Sequence, residues 1–197
     1  MRAMSVHPLP VRVTHWINAC GMPCMFLSGW GIYNASPLLA FKFPLWATLG
    51  GWLGGSIAWH LAVMWLLVVN GLAYGVYGLC SGHFAKAFGR VSAKAVRTDL
   101  AQALHFKLPH QAGRYNAVQR LLYWLVLLLG VAVVLSGLAI WKPIQLYWLA
   151  DLLGGFDVAR YVHFAAMAGI GLFVVIHLAL VLLVPRTLWP MIAGGKP

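Results

Sequence analysis

Four histidines, His15, His60, His163 and His177, stand in otherwise uncharged apolar stretches of the chain. A neutral imidazole is a strong transition-metal ligand, so their spacing decides what they can do. His163 and His177 are fourteen residues apart. In a helix that separation is ~21 Å along the axis, and fourteen steps of 100° end ~40° short of four full turns. Both rings therefore leave one face of one helix, at two different depths. Ligands so far apart cannot share a metal, so each needs a second imidazole from another element.

Those elements are membrane spans. The 197 residues are 62% hydrophobic and only 9% charged, whereas soluble domains are about a quarter charged. Four stretches reach the roughly 20 apolar residues that cross ~30 Å of hydrocarbon: 14–34, 57–79, 118–141 and 160–184. Their interiors hold no Asp, Glu, Lys or Arg; Arg120 and Arg160 lie at span ends. The stretch from Leu38 to Gly55 is apolar too, but Lys42, Pro44 and four glycines interrupt it, which predicts an interfacial or short re-entrant segment. The first span lacks an Ala-x-Ala-like exit and reads as a retained helix, not a cleaved signal. Cys20, Cys24 and Cys80 are an odd count without a Cys-x-x-Cys pair, so they read as packing thiols and imply no disulfide framework. The expected fold is all-α: one transmembrane domain over 1–197, built as a four-helix bundle.

Orientation follows from the basic residues. The net charge of +11 reads as topology and not as a nucleic-acid footprint, because the cations gather in a few connections. Lys86, Arg90, Lys94, Arg97, Lys107, Arg114 and Arg120 follow span two, and Arg2, Arg12, Arg186 and Lys196 flank the ends. Lys42, Lys142 and Arg160 are left for the opposite face. By the positive-inside rule both termini and the loop 80–117 are cytoplasmic. His15 then lies level with His177 at the inner face, and His60 level with His163 at the outer face. In the loop, Lys86, Arg90, Lys94 and Arg97, offset from Phe84, Phe88 and Val91, suit either an amphipathic helix on anionic headgroups or a solvated basic face.

Two depth-matched imidazole pairs suit two stacked haems. A single intramembrane histidine can bond to a neighbouring helix, but four would leave several polar nitrogens to satisfy in hydrocarbon. A structural zinc needs four convergent ligands, which pairs ~21 Å apart cannot supply. Porphyrin fills the remaining positions of each iron. The chain lacks Cys-x-x-Cys-His, so the haems are b-type, and filled axial positions favour electron transfer over oxygen chemistry. Arg12 and Arg160 each precede a ligand by three residues and suit either a haem propionate or an interface anchor. Gly29, Gly71, Gly130 and Gly137 make room either for porphyrin or for close helix contact. Pro23 is expected to kink span one. His7, His83, His105 and His110 fall in cytoplasmic segments and read as solvated side chains.

Over nearly its whole length the chain resembles the di-haem cytochrome b subunits of nickel–iron hydrogenases and respiratory formate dehydrogenase. The resemblance rests on Thr14-His15-Trp16-Ile17-Asn18, on Trp59-His60, and on His163 with His177. It extends to Arg114-Tyr115-Asn116-Ala117-Val118-Gln119-Arg120, where Val118 replaces the family's glycine. It implies a subunit that anchors a catalytic protein and exchanges electrons with membrane quinone, with Asn116 at a quinone pocket beside the inner haem. Chemically, Asn116 suits that role or the N-cap of span three. His7-Pro8-Leu9-Pro10 and the segment Gly31 to Pro37 are similar to companions of periplasmic molybdopterin oxidoreductases.

The expectation is thus a bacterial inner-membrane protein with two haems b, His15 with His177 inside and His60 with His163 outside. It would pass electrons between quinone and a periplasmic partner of hydrogenase, formate dehydrogenase or molybdopterin-oxidoreductase type. That partner would dock on the outer loops 35–56 and 142–159. Two rivals remain: a stand-alone superoxide-oxidising or ferric-reducing cytochrome, and a haem-free transporter using the histidines as relays.

Overall fold

The computed structural model describes residues 7–88, 92–104 and 116–195. Every regular element among them is helical: α1 Leu9–Ala35, α2 Leu53–Cys80, α3 His83–Phe88, α4 Ala93–Leu104, α5 Ala117–Trp141, α6 Tyr147–Leu152, α7 Phe156–Leu183 and α8 Leu188–Ala193. They fall into two compact units, Leu9–Tyr77 and the remainder beginning at Gly78.

In the first unit α1 and α2 form a helical hairpin. Small residues let the helices approach: a Cβ on Gly21 would strike Leu67, and one on Gly31 would strike Ser56. Across the same pair the buried Asn70 donates to Thr14 O and to Asn18 Oδ1, both at 2.9 Å. The connection is not a span. It folds back on α1, where the Asn34 amide donates to Phe43 O and accepts from Phe43 N, both at 2.8 Å. Tyr33 Oη bonds to Leu39 N and O, and Phe43 stacks on Trp30 with ring centres 4.6 Å apart. One 3₁₀ turn, Leu45–Ala47, lies in it. Gly50 ends the connection with φ +109°; a Cβ there would meet the backbone of Gly55 and Ser56, so only glycine fits.

In the second unit α5 and α7 pack along much of their length. Their seam is again small: Ala139, Ala159 and Ala166 are buried, and Leu129 lies over Gly169. Close backbone approach between small residues drives such packing in lipid. α5 starts on a capping box, in which Asn116 Oδ1 accepts from Gln119 N at 2.8 Å and Gln119 Oε1 accepts from Asn116 N at 3.1 Å. Asp99 of α4 accepts from Ala117 N at 2.7 Å, holding α4 against that end. Between α5 and α7 the short α6 closes with Gly154 and Gly155, both at positive φ.

α2, α5 and α7 are long and apolar enough to cross a membrane. Leu121, Leu125, Leu128, Val131 and Leu135 form an exposed stripe along α5, a surface water would not tolerate at this scale. α1 has the length, 27 residues or ~40 Å. Thr14, His15, Asn18, Ser28 and its glycines leave it less apolar than the other three, so composition alone marks three spans where four were expected. Pro23 sits inside α1. Among the described residues, the basic pattern after span two places Lys86 on α3 and Lys94 and Arg97 on α4, not on one amphipathic helix. Arg2, Arg90, Val91, His105, Lys107, His110, Arg114, Tyr115 and Lys196, and the side chains of Lys86 and Phe88, lie outside the described residues.

Candidate functional site

Each unit places one intramembrane histidine against a serine and a glycine. His60 is the eighth residue of α2, and its Nδ1 lies 3.0 Å from Ser28 Oγ on α1. The same hydroxyl lies 2.6 Å from Cys24 O. A serine hydroxyl has one proton. Given to the Cys24 carbonyl, it leaves Oγ to accept from His60 Nδ1–H. That fixes the tautomer and leaves the lone pair on Nε2. Ser28 is fully buried, and a Cβ on the next residue, Gly29, would stand 3.4 Å from His60 Cε1.

The second unit repeats the arrangement. His163 is the eighth residue of α7. Its Nδ1 lies 3.2 Å from Ser136 Oγ and 3.0 Å from Val133 O on α5. The carbonyl only accepts, so Nδ1 carries the proton here also. Ser136 in turn donates to Ala132 O at 2.6 Å, is fully buried, and is followed by Gly137, whose added Cβ would sit 3.1 Å from His163 Cε1. The sequence reading singled out the two glycines and missed the two serines. The signal was present as a repeated tripeptide, Leu27-Ser28-Gly29 and Leu135-Ser136-Gly137.

His15 and His177 have a different setting. His15 lies in the second turn of α1, its ring edge-on to Trp16. His177 stacks on Phe173 with planes 11° apart. Asn70 bonds to the backbone of Thr14, the neighbour of His15. Arg160 reaches Asp157 only at 4.0 Å, and that carboxylate is 83% exposed, so the pair adds little. Arg12 is half-buried on α1. Asn116 is the N-cap of α5, with its Oδ1 engaged there. One turn on, Arg120 holds its Nε buried with no hydrogen-bond partner among the described residues. Gly71 and Gly130, unlike Gly29 and Gly137, face open space. His83 departs from the solvated expectation. It is partly buried beside Phe84, and burial pushes its pKa below the ordinary value.

Half-buried imidazoles whose Nδ1 proton is engaged, so that Nε2 bears the lone pair, are suited to axial metal ligation. No solved structure matches the chain. The family model described as prokaryotic cytochrome b561 matches residues 6–194. The chain belongs to that family. This cytochrome is also similar, at 46% identity over 191 residues and 96% of both chains, to an Azospira oryzae protein named "Putative protein-methionine-sulfoxide reductase subunit YedZ1". The expected family is therefore found, and with it a membrane cytochrome of the haem b, electron-transferring kind. The residues present fit that cofactor: the histidines supply nitrogen donors, and Gly29 and Gly137 leave no side chain against the donor rings.

Proposed function

We propose that this cytochrome carries electrons across a bacterial inner membrane between quinone and a catalytic subunit docked on the outer loops, 35–56 and 142–159. α1 crosses with α2, α5 and α7, and the termini and the loop 80–117 face the cytoplasm. His60 with His163 hold the outer haem, and His15 with His177 the inner one. The observation carrying this reading is the twin serine–imidazole contact, which sets both outer histidines in the tautomer that ligates through Nε2. Bound haem b would supply a one-electron Fe(III)/Fe(II) couple at each pair.

Asn116 and Arg120 mark the quinone end. With Oδ1 engaged in the cap, the Asn116 side chain retains its Nδ2 protons for a quinone carbonyl. A buried guanidinium nitrogen without a partner is costly, and an oxygen-bearing ligand would relieve that cost. Arg12 and Arg160 have the spacing to reach propionates of the inner and outer haem respectively.

The Azospira oryzae relative favours a partner that reduces methionine sulfoxide in proteins over the hydrogenase or formate dehydrogenase types. Reducing a sulfoxide to a thioether takes two electrons and two protons and releases water. Electrons would then run from quinol outward. The test is quinol-driven reduction of methionine sulfoxide by the cytochrome co-purified with its partner in liposomes. We expect turnover to need both proteins and to be lost in His60→Ala. Equal quinone turnover by the cytochrome alone with a small soluble reductant would favour the stand-alone reading instead.

A further inference from the structure

Serines inside membrane helices commonly bond only to the carbonyl one turn back. Ser28 and Ser136 do that and something more: each hydroxyl also meets the Nδ1 of a histidine on the neighbouring helix, at 3.0 and 3.2 Å. Both serines are fully buried, both precede a glycine lying under the same ring, and the two histidines occupy the same position in their helices. Two otherwise dissimilar hairpins have arrived at one arrangement, and it surrounds the two histidines assigned to the outer face.

We propose that Ser28 and Ser136 are positioning residues for the two outer haem ligands, each accepting the Nδ1 proton, fixing Nε2 as the donor atom, and holding the outer couple at a low reduction potential. The inference rests on His60 and His163 being axial ligands. Its physical basis is that an acceptor on Nδ1–H raises the basicity of Nε2, and a more basic ligand stabilises the ferric over the ferrous state. Outer-shell hydrogen bonding is one of the levers a protein has on haem potential. The serine is well suited because its own proton goes to the helix carbonyl, so it can act toward the ring only as an acceptor. At His163 the Val133 carbonyl adds a second acceptor.

The experiment is a redox titration of purified, haem-loaded protein followed in the Soret and α bands. The variants are Ser28→Ala, Ser136→Ala, the near-isosteric Ser28→Cys and Ser136→Cys, and the hydroxyl-retaining Ser28→Thr and Ser136→Thr. The Cys variants leave no cavity but offer only a weak acceptor, so they separate hydrogen bonding from packing. We expect Ala and Cys at either site to shift the outer couple toward the ferrous state, less at Ser136, where the Val133 carbonyl still accepts the Nδ1 proton. The double Ser28→Cys, Ser136→Cys protein should move by about tenfold in the Fe(II)/Fe(III) ratio at fixed potential, or ~59 mV. The inner couple should stay in place, and Thr should restore the parent value. Both haems retained with an unchanged outer potential in the Cys variants would overturn the proposal, as would loss of both haems there, which would make the serines architectural. If His60→Ala and His163→Ala do not remove one shared haem, the ligand assignment itself fails, whatever the serine variants show.

Discussion

At the scale of single residues, the molecule discriminates between glycines that look alike in sequence. Gly29 and Gly137 lie against imidazoles, whereas Gly71 and Gly130 face open space. The added methyl in Gly29→Ala would make an ordinary contact at 3.4 Å with its histidine, whereas that in Gly137→Ala would stand at 3.1 Å, tighter than most real contacts. Gly137→Ala is therefore expected to cost ~1–3 kcal/mol of packing and to lower the haem-to-protein ratio by pyridine haemochrome assay, with Gly29→Ala near the parent value. Equal haem loss in both would contradict that ordering. Asn70 is the other residue whose role is set by geometry. Replacing it with Leu removes both hydrogen bonds, to the Thr14 carbonyl and the Asn18 side chain, at ~0.5–1.5 kcal/mol each. The melting temperature in detergent should fall by several degrees, and an unchanged value would sink the account of that contact. Sequence reading singled out the histidines by type and spacing. It could not reach Ser28, Ser136 or Asn70, because an apolar helix with a stray hydroxyl or amide looks the same whether that group meets its own backbone or another helix.

At the scale of elements, boundaries were legible wherever local chemistry sets them. Asn116 was recognisable as a possible N-cap of span three and is one, with Gln119 completing a capping box. The glycines and proline between Leu38 and Gly55 did exclude a fifth span. α1 was harder, because its polar residues, of which Asn18 and Ser28 bond to side chains of α2, dilute the hydropathy that would mark a span. The short helices α6 and α8 carry no amphipathic period long enough to detect. Asn116 also offers a clean separation of roles. Asn116→Asp keeps a cap acceptor and removes the amide donor, whereas Asn116→Leu removes both. We expect the Asp variant to keep the parent's thermal stability while losing most of its quinol turnover, and the Leu variant to lose in addition ~1 kcal/mol of stability. Full turnover in the Asp variant would remove Asn116 from the quinone site.

At the scale of the whole molecule, two hairpins, α1–α2 and α5–α7, each present one histidine clamped by serine near the start of the returning helix. Each also carries a second histidine nearer the far end, on α1 in one and on α7 in the other. The proposed pairing takes one ligand for each haem from each hairpin. A redox-titrated absorbance spectrum of the purified protein and its four His→Ala variants tests this most directly. Two b-type transitions are expected in the parent, one of them missing from both His60→Ala and His163→Ala, and the other from both His15→Ala and His177→Ala. Loss of a single shared transition by His15→Ala and His60→Ala, or a colourless parent after haem-sufficient expression, would contradict it.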